Sequence, residues 1–155
     1  MTALVLGATG VILLIAGPIM IARGLAGMSS IVRELDSQHI TFPARDRLPT
    51  ALTRFAGTQV RTGNQARAYS ELIASHLVGS TGGRTYAEIA DEWLAGGRND
   101  QQLERLQETA FRGQTLRGAL LGAYQAWQVT MLVIGLGAVL VSVGIAFLVL
   151  AHRVG

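Results

Sequence analysis

Cysteine is absent from this 155-residue chain, which excludes disulfides, zinc–thiolate sites and cysteine-ligated iron–sulfur clusters. Lysine is absent too, and all 13 basic side chains are arginine. Proline occurs only at positions 18, 43 and 49, so none interrupts a helix from Asp100 onward. Aromatic residues make up 6% of the chain and nowhere interleave with a basic stripe; nucleic acid is therefore not an expected partner. The net charge of +3 is small because, between Gly24 and Arg117, 11 arginines face 10 acids.

The absence that organises the chain is one of charge. No charged side chain lies in Met1–Ala22 or in Gly118–Ala151. A soluble domain intersperses its charges, so the two ends call for a different solvent from the middle. A membrane helix needs roughly 20 apolar residues. Ala3–Ala22 and Val129–Ala151 both qualify. A cleaved signal peptide carries a basic n-region, whereas the first run has no basic residue before Arg23; an uncleaved anchor is the expected reading. The expected class is a mainly α membrane protein: two transmembrane helices flanking a small α(+β) extracytoplasmic domain. The first transmembrane segment is assigned to 1–28, the central domain to 29–117, and the second span with its short tail to 118–155.

Within the central region, His39–Pro43 is β-branched and aromatic and predicts a strand. Thr58–Thr62 alternates and is its expected partner. The intervening Ala44–Thr50 reads as a loop. A helix is expected from Asn64, with Tyr69, Leu72, Ile73, His76 and Leu77 on one apolar face, ending at Gly79–Gly83. Thr85-Tyr-Ala-Glu88 has capping-box spacing and opens a helix that Gly96-Gly97 closes. Asn99 or Asp100 caps a last helix, which has no proline to stop it before the second span. Helical character is also expected to persist past the first span through Ile31 and Leu35.

Small residues recur at seven-residue spacing in both spans: Ala3, Gly10, Gly17 and Gly24 in the first, Thr130, Gly137, Gly144 and Ala151 in the second. A seven-residue repeat keeps one seam toward a partner helix. Small residues let backbones approach where lipid supplies no hydrophobic drive. Gly10, Gly17, Gly24, Thr130, Gly137 and Gly144 are therefore expected to pack the spans together. Nineteen glycines also generate such spacings by chance. Gly118-Ala-Leu-Leu-Gly122 is a GxxxG step just before the second span. With Arg112 and Arg117 it forms a candidate contact for a partner or for lipid headgroups; interfacial snorkelling is the plainer account of the arginines.

No catalytic, cofactor or metal set emerges. His76 lies within an apolar stripe and is expected to be a buried, hydrogen-bonded histidine. His39 and His152 are far from it, and no HExxH or carboxylate cluster accompanies any of them. Ser70 and Ser75 lack a nucleophile context. Thr81–Arg84 reads as a turn between helices. Neither apolar span carries an ionisable residue, the usual mark of a membrane-embedded enzyme.

Ile40-Thr-Phe-Pro43, Phe55-Ala-Gly57, Ala68-Tyr69, Glu71, His76, Thr81-Gly-Gly83, Thr85-Tyr-Ala-Glu88 and Phe111 to Leu116-Arg117 occur in an order that resembles a group of small, largely uncharacterised actinobacterial membrane proteins. The resemblance covers about half of the chain, leaves Ala95–Gln102 unplaced, and implies two spans around an extracytoplasmic domain. Some members carry the label aromatic ring-opening dioxygenase, but this chain has no recognisable iron-ligand set, and the group contributes no catalytic residues.

The expected function is a non-catalytic accessory subunit or assembly factor of a larger membrane complex, such as a respiratory supercomplex or an envelope lipid transporter. The alternative is a membrane-anchored module that binds a lipid or small ligand, with Tyr69, Tyr86 and Trp93 lining the pocket. Expected partners are a larger integral membrane complex and membrane lipid, with no cofactor. The expected location is the cell membrane, with both termini cytoplasmic and the central domain outside. Arg153 and the terminal amine set that orientation, because long loops escape the positive-inside rule.

Overall fold

Pro18 does not break the first helix. In the computed structural model, which describes residues 1–154, α1 runs from Thr2 to Ser37. It is followed by α2 (Gly63–Thr81), α3 (Tyr86–Ala95) and α4 (Gln101–Val154). The described chain is 83% helical and divides into two compact units: 1–34 with 126–155, and 35–125. The expected boundaries at 28 and 117 differ from these divisions because both long helices continue past their apolar runs.

The first unit is an antiparallel helix pair. α1 and α4 each contain a stretch long and apolar enough to cross a membrane, and only 11% of each stretch is buried within the chain. The core helix of a soluble protein would be mostly buried, so these surfaces call for another apolar environment. Hydroxyls in the pair bond to carbonyls of their own helix: Thr9 donates to Val5 O at 2.9 Å, Ser142 to Ala138 O at 3.0 Å and Thr130 to Trp127 O at 2.7 Å. Each polar group is thereby satisfied without water.

The second unit is built around α2. Thr62 caps it: its hydroxyl accepts from Gln65 N, while the Gln65 side chain accepts from Thr62 N at 3.0 Å. Gly82, at φ 64°, ends α2 in the left-handed conformation that a side chain disfavours. Phe42 stacks on Phe55 with centroids 5.2 Å apart, and Tyr69 meets Phe42 edge-on at 5.1 Å. Leu72 and Val60 are buried, as are Leu48, Leu52 and Ile89. Each such side chain contributes about 1.5–3 kcal/mol of burial.

The expected β element is corrected. Among the described residues there is no strand, only one antiparallel bridge between Thr41 and Gln59. Phe42 N donates to Thr58 O at 2.9 Å and Val60 N to Ile40 O at 2.8 Å. The two segments meet as paired, but the ladder cannot lengthen. On one side Thr58 N donates to Phe55 O at 2.9 Å, in a turn with Gly57 at φ 67°, and on the other His39 at φ 51° turns the chain out of α1. The 44–50 connection read as a loop contains one 3₁₀ turn, Arg45–Arg47, and a second, Thr50–Phe55, follows it.

Candidate functional site

The helix pair meets along its glycines. Gly17 and Gly137 sit so close that a Cβ on Gly17 would lie 2.7 Å from Gly137 O and 2.6 Å from Val141 Cγ2. The reverse substitution would place a Cβ 2.7 Å from Gly17 O and 2.8 Å from Ile21 Cγ1. Gly10 faces Gly144, each Cβ position 3.0 Å from the other's carbonyl oxygen. A Cβ on Gly24 would lie 2.5 Å from Ile134 Cγ1 and 3.1 Å from the carbonyl oxygen of Thr130. Facing positions thus rise by seven on α1 as they fall by seven on α4. Gly27 extends the seam: a Cβ there would lie 2.9 Å from the Thr130 methyl. Thr130 presents that methyl because its hydroxyl is bound to its own helix.

Gly118 and Gly122 stand apart from this seam. Both are exposed, and a Cβ on either meets nothing within 4 Å. Arg112 forms an exposed ion pair with Glu108. Arg117 is half-buried, and its Nε is buried with no hydrogen-bond partner.

His76 is exposed, which corrects the expectation of a buried histidine. Past Leu72, α2 is covered on one narrow side only, through Ile73, Leu77 and Thr81. Leu77 packs against Gly113 of α4, where an added Cβ would lie 2.6 Å from Leu77 Cδ2. His76 precedes Leu77 by one residue, a turn of about 100° around the helix, and so points away. Among the described residues, no group of three or more His, Cys, Asp or Glu is close enough to hold a metal ion.

The three aromatics proposed for a pocket separate. Tyr69 belongs to the core with Phe42. Tyr86 and Trp93 instead line a groove of about 530 Å³ between α3 and α4, with Glu104, Arg105, Glu108 and Phe111. The capping box at Thr85 starts α3 and positions them: Thr85 Oγ1 accepts from Glu88 N, and the Glu88 carboxylate accepts from Thr85 N at 2.7 Å and Thr85 Oγ1 at 2.8 Å. These bonds hold the Glu88 carboxyl below its ordinary range, with Arg84 contributing a smaller attraction. Asp100 caps α4 through bonds from Gln102 N and Leu103 N. Tyr86 and Phe111 rings lie 5.8 Å apart, Gln107 Nε2 donates to Tyr86 Oη at 3.4 Å, and the Arg98 guanidinium sits 5.7 Å from the Trp93 ring centroid. Trp93 Nε1 is buried with no acceptor.

A second groove, of about 690 Å³, is lined by residues including Arg54, Phe55, Arg67 and Glu71. Its Arg67 donates to Tyr124 Oη at 3.3 Å and to Glu71 at 3.2 Å, which raises the guanidinium's pKa, Tyr124 acting more strongly than Glu71. Sequence reasoning missed Gly27, Gly113 and the Thr62–Gln65 box. The Thr-x-x-Gln spacing was a readable signal for the last. Neither glycine carried one, since each is defined by a neighbour distant in sequence. Comparison with protein-family models, curated proteins and solved structures yields no match.

Proposed function

We propose that this chain is a non-catalytic accessory subunit or assembly factor of a larger integral membrane complex, held in the cell membrane by two spans. In this reading both termini are cytoplasmic, the central domain of 29–117 lies outside, and the second span begins at Gly118. The observation that carries it is the pairing of a tightly closed seam with a largely uncovered remainder. The facing glycines consume one side of each apolar helix, yet only 11% of each apolar stretch is buried within the chain. Lipid can cover the rest, but a partner span gains more where small residues allow backbones to approach. Gly118, Gly122 and Gly135 offer such places, since a Cβ at any of them meets nothing within 4 Å.

A respiratory supercomplex and an envelope lipid transporter are the candidate hosts, and the resemblance to two-span actinobacterial proteins is consistent with either. The test is mild detergent extraction of the tagged chain from native membranes, followed by identification of co-purifying proteins. The expected result is a stoichiometric larger partner that is lost in a Gly118→Leu, Gly122→Leu variant whose own melting is unchanged. Migration of the tagged chain alone, with no partner captured by cross-linking in intact cells, would overturn the reading.

A further inference from the structure

We infer that the groove between α3 and α4 is a binding site for a small zwitterion, a molecule carrying an ammonium group and an anionic acceptor such as a phosphate or carboxylate. The site lies wholly within the 35–125 unit and stands whether or not the spans carry a partner. Its volume of about 530 Å³ falls in the range of small-ligand sites.

Four observations fix the ligand's chemistry. Trp93 Nε1 is a buried donor without an acceptor, a condition that native proteins rarely leave unmet. In the proposed complex a small rotation of the ring brings it to a ligand oxygen in the groove that Trp93 lines. Arg105 lines the same groove and forms no ion pair among the described residues, so it supplies the positive charge that an anionic oxygen requires. Glu104, also in the lining, likewise has no ion-pair partner there and can receive an ammonium, whereas Glu108 is already engaged by Arg112. Finally, the Tyr86 and Phe111 rings stay substantially exposed at 39% and 56%, and aromatic faces attract alkylammonium groups. Arg98 already lies over the Trp93 ring, which leaves Tyr86 and Phe111 as the faces available to a ligand cation. A simple anion leaves Glu104, which is exposed, with water alone, and a simple cation leaves the exposed Arg105 with water and Trp93 Nε1 without an acceptor. One molecule bearing both charges satisfies all three.

Such a group can come from a phospholipid headgroup or from a free solute. The test uses the full chain in detergent with Trp127→Phe, so that Trp93 is the sole tryptophan emitter. Glycerophosphoethanolamine and phosphocholine are titrated as free zwitterions, phosphatidylethanolamine in mixed micelles as the lipid form, and inorganic phosphate and ethylammonium as single-charge controls. The expected result is a saturable change in Trp93 emission with a zwitterion and at least tenfold weaker binding of either control. Glu104→Gln and Arg105→Gln should each weaken binding about tenfold, the loss of one charged contact, while leaving the melting temperature in place. A response to the micellar lipid alone assigns the headgroup as the source, and a response to the soluble forms assigns a free solute. No saturable change with any zwitterion up to ~10 mM, a range that already includes very weak sites, would overturn the proposal and mark a groove that holds only water. Equal binding of phosphate alone would overturn it in favour of a plain anion site.

Discussion

Single atoms decide whether a glycine here is replaceable. A methyl on Gly17 would fall 2.7 Å from the carbonyl oxygen of Gly137, and backbone cannot swing aside as a side chain does. Gly17→Ala or Gly137→Ala should therefore cost about 1–3 kcal/mol, the usual range for overpacking, and the leucine variants should disrupt the pair outright. Leu14→Ala should be milder, because it adds no bulk to the seam, although Leu14 Cγ packs near Gly144. Gly135→Leu is the control, with nothing within 4 Å. Melting in one detergent, followed by circular dichroism, checks the order. Equal tolerance of all four would show that the seam spacing reflects composition alone. Glu88 gives a pH prediction at the same scale. Its folded pKa is depressed, mainly by hydrogen bonds from Thr85. Its contribution to stability is therefore full above the ordinary glutamate value of 4.5 and is lost as the pH falls through the lower folded value. Glu88→Gln keeps an acceptor but cannot titrate, so its acid melting limb should be flatter than that of the unsubstituted chain.

Between elements, the contact of α2 with α4 rests on Leu77 filling the space beside Gly113. Gly113→Ala should destabilise by about 1–3 kcal/mol. In a Leu77→Ala background the same change should cost much less, because the clashing side chain is gone. A double-mutant cycle measures the coupling, and strictly additive effects would mean the two residues do not compete for space. Helices were largely legible in the sequence because their signals are local. Thr85-x-x-Glu88, Asp100 and Gly82 act within one turn, and the uncharged runs need only be counted. The seam was legible because its period is fixed by helix geometry. The strand pair was not. Ile40 and Val60 carry β-type side chains, but extension depends on the left-handed turns at Gly57 and His39. His76 escaped for a related reason: periodicity finds an apolar face, but not how far along α2 that face stays covered. The α3–α4 groove was half legible, as Tyr86 and Trp93 without Phe111, which joins only through tertiary contact.

For the molecule as a whole, an antiparallel pair brings the two termini to one end of the first unit, with Gly7 near Ala151. If the pair spans a bilayer, both termini share one compartment. The proposed orientation puts Gly79 outside. An impermeant maleimide on intact cells should label Gly79→Cys, exposed near the end of α2 where an added Cβ meets nothing, and spare His152→Cys. The chain has no cysteine of its own, so background labelling is nil. The opposite pattern would invert the orientation while leaving the two-span reading intact.

The seam is also a ruler whose marks are alike. Ile134, Val141 and Leu148 lie over Gly24, Gly17 and Gly10 and repeat at the same interval as the glycines they cover. A slide of one helix by seven residues, roughly 10 Å, would again set small against small and branched against glycine. The seam thus dictates how near the helices come but discriminates weakly among their axial settings, and a slipped hairpin sacrifices only the contacts at one end. The native setting should be readable by a covalent staple. Gly7 and Ala151 present Cβ positions 4.0 Å apart, within the span of a disulfide. Gly7→Cys with Ala151→Cys should oxidise readily in detergent, whereas Leu14→Cys with Ala151→Cys, seven residues along α1, should join only in slipped molecules. The yield of the second bond, set against the first, therefore measures how often the hairpin closes on the wrong mark.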